Sequence, residues 1–177
     1  DIGDLTPEEM QYLDLLTDVL DELDTPKHTA RELNTLRSTW LGDSQVALTF
    51  WTGRQEGSPC HVKLVLGLSL LERSLDKAIE LGGELLYKTQ LTGEKAEAAF
   101  ARVLSQQKLS MEQQFIQQGN AYAAVRASAH YSVESALSER VSGVTGYHFL
   151  CDLLEKADWK AMGEKLEALR AKILNHA

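Results

Sequence analysis

The stretch Gly119–Ser132, GNAYAAVRASAHYS, sets two tyrosines, an arginine and a histidine among small residues, in a chain otherwise rich in Leu, Glu, Gln and Lys. Tyr122 and Arg126 stand four apart, so on a helix they share a face. A phenol and a guanidinium side by side could contact a peptide backbone. Arg126 could also pair with a carboxylate or stack on Tyr122. Small Ala123, Ala124 and Ala127 let another helix or a strand come close, so packing alone accounts for the composition. The candidate peptide-contact or packing residues are Gly119, Tyr122, Arg126, Tyr131 and Tyr147, and no residue takes a catalytic role.

Other chemistry lacks its spacing. His28, His61, His130, His148 and His176 have no partner at the HExxH or HxxEH distances of a helical zinc site. GxGxxG, a phosphate loop and GxSxG are missing as well. Cys60 precedes His61, but neighbours in a strand point to opposite faces, which argues against a dyad. Cys60 and Cys151 form no CxxC or CxxH pair, so a zinc knuckle is not expected. Two free thiols suggest a reducing compartment, while spacing leaves a disulfide between them open.

The elements that must position these residues follow from composition and period. At 177 residues, 44% hydrophobic and 25% charged, the chain is long enough for one domain with a buried core. A net charge of −8 argues against nucleic acid and anionic membranes as partners. No apolar run reaches the roughly 18 residues of a membrane span, and DIGDLTPEEM has no signal-peptide apolar region. A targeting segment removed earlier, or a start inside a longer protein, is compatible with that N-terminus.

Thr6-Pro7-Glu8-Glu9 reads as a capped helix start, followed by a stripe of Met10, Leu13, Leu16, Leu20 and Leu23 that Thr25-Pro26 ends. Thr29 and Glu32 form a second capping box, with Leu33, Leu36 and Trp40 at helical spacing and Gly42 as a stop. The period becomes two at Gln45–Trp51, read as a strand covered on both faces. Thr52–Pro59 reads as a turn and Cys60–Leu66 as the second strand of a hairpin. Two strands alone are marginal, so helices must cover them or more strands must join.

Leu71, Leu75, Ala78, Ile79 and Leu85 mark a helix that bends or ends near Gly82-Gly83. Thr92-Gly93 opens a long polar helix with Phe100, Val103, Leu104, Met111 and Phe115 on one face, and Gly119 is expected to end it. Ala121–His130 then reads as a short helix and Val133–Arg140 as partly helical. After a break at Ser142-Gly143, Tyr147–Ala157 and Trp159–Ile173 read as two last helices. Trp40, Trp51 and Trp159 are expected in the core or at an interface, and Asp18–Asp24 on a solvated helix face. The fold class is α+β: a predominantly helical layer on a small antiparallel sheet.

Three segments, in order, resemble the zinc metallopeptidases of the pitrilysin/insulinase clan, and within it the presequence-protease, falcilysin-like branch. Leu5–Thr25 and Thr29–Leu36 resemble the helix pair opening the first domain of that family's C-terminal half. GNAYAAVRASAHYS resembles its Gly-His-x-Tyr-Ala-x-x-Arg-Ala pattern: Gly119, Tyr122, Ala123, Arg126 and Ala127 match, and Asn120 stands for the His. The segment from Ser142 resembles a Gly, Tyr, Phe-Leu stretch before a Trp-containing helix, matching at Gly143, Phe149, Leu150 and Trp159. The resemblance runs from about Leu5 to Leu174.

It implies a great deal about function. The family's enzymes have four homologous domains in two halves, which close around a chamber for unfolded peptides. Zinc sits on HxxEH plus a distal Glu in the N-terminal domain, and water on the zinc attacks the peptide carbonyl with a Glu as base. The third domain, the one resembled here, keeps the fold without the metal. The resemblance thus implies a single inactive peptidase-like domain over residues 1–177, a fragment of a longer protein. It would be a structural, substrate-chamber domain of a zinc metalloendopeptidase, inactive alone and with no cofactor of its own. Its partners would be the other domains of the same protease and extended peptide, with neither nucleic acid nor membrane.

The family occurs in the mitochondrial matrix, the plastid stroma and the bacterial cytoplasm. Its Arg/Tyr contribution to the active site comes from the last domain, so that role does not transfer to Arg126 or Tyr122; Arg126→Ala is expected to cost stability or docking. Family domains also begin with strands, whereas this chain begins at the first helix, as a fragment, split subunit or trimmed chain would. That leaves a sheet edge at Val46–Trp51 or Cys60–Leu66. Two other readings stand beside it: a helical protein-interaction or adaptor module, and an inactive core-protein-like member of the clan.

Overall fold

The computed structural model describes residue 2, residues 5–53, residue 55 and residues 58–174. Parts of the expected turn (54, 56 and 57) and His176 lie outside the described residues. Helix α1 (Pro7–Val19) starts as its sequence dictates. The Thr6 hydroxyl accepts from Glu9 N at 3.2 Å, and Thr6 N donates to the Glu9 carboxylate at 2.7 Å. That reciprocal cap satisfies two of the amides that a helix start leaves without partners. A 3-10 turn, Leu20–Glu22, continues it. Helix α2 (Ala30–Trp40) repeats the device with Thr29 and Glu32.

Strands β1 (Asp43–Thr52) and β2 (Cys60–Ser69) form an antiparallel hairpin. Its register sets Val46 opposite Leu66, Leu48 opposite Leu64 and Phe50 opposite Val62. The period-two apolar sets therefore share one face, and Val46, Leu48 and Leu64 pack against the core. The other face carries Ala47, Thr49, Trp51, His61, Lys63 and Val65. Coverage on both faces, expected for β1, is not found: no described residue of β1 is fully buried, and in β2 only Val62 is. Helices meet one side only. Ile2 N donates to Val62 O at 3.1 Å, so Ile2 lies at the outer edge of β2.

Five more helices complete the architecture: α3 (Leu75–Lys88), α4 (Glu94–Ser128), α5 (Val133–Ser142), α6 (Val144–Lys156) and α7 (Trp159–Ile173). The core gathers Leu13, Leu16, Val19 and Leu20 near α1 with Phe100 and Leu104 of α4, Leu150 of α6 and Leu166 of α7. The result is the expected α+β class, helices dominating a two-stranded antiparallel sheet.

Several expectations need correction. Helix α3 passes through Gly82-Gly83 unbroken and turns Leu75 and Ile79 to solvent, with Leu71 exposed just ahead of it. Ala78 and Leu85 are buried as that stripe expects, and Leu81 and Gly82 join them inside in place of Leu75 and Ile79. Gly82 lets α3 come close to the hairpin on this face: a Cβ there would stand 2.8 Å from Leu66 Cδ2. The long helix does break where its end was expected: Gln118 (φ −130°, ψ 28°), one residue ahead of Gly119, is non-helical, and a second helical segment follows to Ser128, so α4 is two helices joined at a kink. Trp40 and Trp51 are exposed, 44% and 61%, while Trp159 packs on the core. The acidic run keeps Asp18 and Glu22 exposed, as expected of a solvated face, and three of its carboxylates also form cross-links. Asp21 pairs with Arg37, Glu22 with Arg102 at 2.8 Å and Asp24 with Lys95 at 2.8 Å.

Candidate functional site

The kink at Gln118 decides where the singled-out tyrosines go. Beyond it, Tyr122 and Val125 of α4 lean over α5 and α6 and close one side of a cavity of about 510 Å3 between α1, α4, α5 and α6. One wall is apolar: Leu15, Met111, Val141, Phe149 and Leu150. The other is polar: Asp14 and Asp18 from α1, and Gln107, Gln114 and Gln118 from α4.

Tyr122 donates its hydroxyl to Gln114 Oε1 at 2.7 Å, and its ring meets Phe115 edge-on at 4.6 Å. Phe115 in turn meets Tyr147 at 5.2 Å, so one phenylalanine joins two of the expected residues. The Tyr147 hydroxyl donates to Glu112 at 2.7 Å, and that bond, with a further one to Cys151, raises its pKa. Arg126 pairs with Glu139 at 3.2 Å rather than stacking on Tyr122. Glu139 is buried and also accepts from Thr145 N at 3.2 Å and Thr145 Oγ1 at 2.7 Å, so it secures the start of α6. Gly119 lies on open surface, with nothing within 4 Å of where a Cβ would sit. Tyr131, 93% exposed, stands in the turn after α4, away from the cavity lining. The alanines at 123, 124 and 127 are exposed, so the close approach they permit is not made within this chain.

The residues with the most perturbed chemistry are not among the sequence-based site candidates. Asp14 is half-buried, and although Asp18 still touches solvent, the cavity walls strip hydration from both carboxyls. Burial, with the Asp18 charge beside it, raises Asp14 to about 7. Burial raises Asp18 to about 6, against a lowering hydrogen bond from Gln107 Nε2 at 2.5 Å. The other end of that amide, Gln107 Oε1, is buried without a partner. One signal was available: Asp14 interrupts the leucines of α1 and pairs with Asp18 at i,i+4, along the edge of the apolar stripe. Nothing marked Gln107.

Among the described residues no group of three or more His, Cys, Asp or Glu is placed to hold a metal ion, so this donor set does not fit zinc. No helix among them is long and apolar enough to cross a membrane.

The class defined so far is an α+β protein whose helices enclose an amide- and carboxyl-lined cavity beside a short hairpin. Comparison with known families is specific. Residues 1–153 match the family described as associated with peptidase family M16, subfamily C, and the chain belongs to that family. It is thereby tied to the pitrilysin-type peptidases as a non-catalytic region, part of a larger protease.

Proposed function

We propose that this chain is one wall of the substrate chamber of a presequence-protease-like zinc endopeptidase, the inactive first domain of its C-terminal half. In that role it packs against the catalytic half and holds extended peptide. The observation that carries the reading is the family match over residues 1–153. Two features support its finer part: the cavity's mixed apolar and amide lining suits peptide, and the alanine ridge after Gln118 leaves a surface for neighbouring domains. Hydrolysis belongs to zinc-activated water in the catalytic domain; the residues of this chain bind and orient.

The test uses the full-length gene product. A benzoylphenylalanine photo-crosslinker at Val125 is expected to capture an unfolded peptide substrate, and Tyr122→Ala to raise KM several-fold with kcat little changed. No HxxEH domain in the same open reading frame, or capture of a folded partner in place of peptide, would favour the adaptor reading. A full-length protein that carries the chain but cleaves nothing would favour the inactive core-protein-like one.

A further inference from the structure

We propose that the cavity between α1, α4, α5 and α6 is a binding pocket for a cationic side chain, an ammonium or guanidinium on an apolar arm as in lysine or arginine, with Asp14, Asp18 and Gln107 as its acceptors. This rests on the peptide-contact reading above and names the chemistry the peptide must carry.

The acceptors are out of balance with the donors. The cavity lining holds two carboxyls and no Lys, Arg or His. Elsewhere acids are routinely paired: Asp21, Glu22, Asp24, Glu80 and Glu139 each meet a cation. Among the described residues Asp14 and Asp18 have no ion pair. They stand one helical turn apart on α1, with Cβ atoms roughly 5–6 Å from each other. Gln107 spends its amide hydrogens on Asp18 at 2.5 Å, and this turns Oε1 into a buried position without a donor. A buried acceptor left unpaired is costly, so it marks a place where a donor belongs.

The missing donor can be characterised. An anion would face two carboxyls with no Lys, Arg or His in the lining to offset them, so it is disfavoured. A neutral amide can satisfy Gln107 but does nothing for two desolvated carboxyls. A divalent cation wants more oxygen or nitrogen ligands than these two side chains supply. An ammonium, with three N–H groups, or a guanidinium, with five, can serve both carboxylates and the amide oxygen together. Leu15, Met111 and Phe149 provide the apolar wall along which a Lys or Arg stem lies. The volume, about 510 Å3, falls within the usual pocket range of about 300–1,000 Å3. Raised carboxyl pKa values are what such a site has before its cation arrives, since a bound positive charge stabilises the ionised forms.

The experiment titrates the chain with an unstructured acetylated pentapeptide carrying one central arginine, with its citrulline twin, and with n-butylguanidinium. The arginine peptide is expected to bind about tenfold or more tightly than the citrulline peptide, in line with charge-assisted hydrogen bonds. Asp14→Asn/Asp18→Asn is expected to erase that preference. Gln107→Leu is expected to reduce it several-fold. Because the chain is acidic overall, Asp76→Asn/Asp152→Asn, on exposed turns of α3 and α6, serves as the control with the same charge change and is expected to leave the preference intact. Circular dichroism confirms that each variant is folded. Equal binding of the two peptides overturns the cation pocket and leaves peptide contact standing. An equal loss in the control pair also overturns it, as general attraction. Binding of n-butylguanidinium alone supports the pocket but counts against a peptide source, and with it the chamber reading. Binding of none of the three overturns the pocket.

Discussion

The two halves of α4 meet at the non-helical Gln118 and are held in place by different physics. Before the kink, Ala96, Ala99, Phe100, Leu104 and Met111 are buried against α1, α6 and α7. After it, from Gly119 to Ser128, every residue is exposed except Tyr122, which is half-buried. The first half is helical because its apolar face has somewhere to go. The second continues on alanine's intrinsic preference and on a few tethers: the Tyr122 ring on Phe115, its hydroxyl on Gln114, and Arg126 on Glu139. Hydrophobic burial fixes the frame, and a polar, thinly anchored arm carries the surface that can meet something else.

The strongest way to break this contrast is to empty each half in turn. Phe100, fully buried, is expected to cost about 3–5 kcal/mol on replacement by Ala. Val125→Ala, at a residue 37% exposed, is expected to cost about 0.5 kcal/mol or less. Urea unfolding followed by circular dichroism measures both. Equal losses would mean that the arm is anchored as firmly as the frame.

A smaller effect separates the frame from the cavity it encloses. Asp14 and Asp18 have folded-state pKa values of about 7 and about 6, above the ordinary 3.8. The folded chain therefore holds these protons more tightly than the unfolded one. No penalty exists below about pH 4; it grows as pH rises from there and is complete above about pH 7. Asp14→Asn/Asp18→Asn is expected to gain about 1–2 kcal/mol over the parent at pH 8 and nothing at pH 4, a modest figure because Asp18 stays in reach of water. Half-buried Glu9 has the opposite sign. Lys172 and the Thr6 backbone hold its carboxyl down at about 2, so its contribution fades only under strong acid. Urea midpoints at pH 4, 6 and 8 read the difference between the two proteins, and a constant gap across that range contradicts the pocket electrostatics.

The same contrast explains what could be read from the sequence. Helix starts were legible because a cap is local: Thr6 with Glu9 and Thr29 with Glu32 contain their own partners. The hairpin was legible because its two alternating sets fall opposite each other in register. Which apolar residues of α3 go inside was only partly legible, since Leu75 and Ile79 are as apolar as Leu81 and Leu85, and the choice lies in packing against other elements, where Gly82 comes close to Leu66. The site was half legible. Composition drew attention to Tyr122, Arg126 and Tyr147, but the cavity depends on Asp14 and Gln107, which meet only after α1 and α4 pack. A carboxyl in an amphipathic helix looks the same whether its face meets solvent or a neighbouring helix.

The smallest effects concern the arm alone, and they have opposite signs. Arg126 is more than half exposed, and Glu139 keeps its two Thr145 bonds without it, so Arg126→Ala is expected to cost only about 0.5–1 kcal/mol. Gly119 sits inside α4 with open space around it and an ordinary negative φ, so Gly119→Ala is expected to gain about 0.5–1 kcal/mol. Thermal unfolding of the chain reads both shifts, about 2–4 °C per kcal/mol at this size. A gain at Gly119 means that the glycine serves no purpose in the folding of this chain, and that stiffening the arm stabilises it. A loss would mean that the helix after Gln118 needs the freedom of glycine to hold its bend, and the arm would then be a strained continuation of the frame rather than a segment resting on its own helical preference.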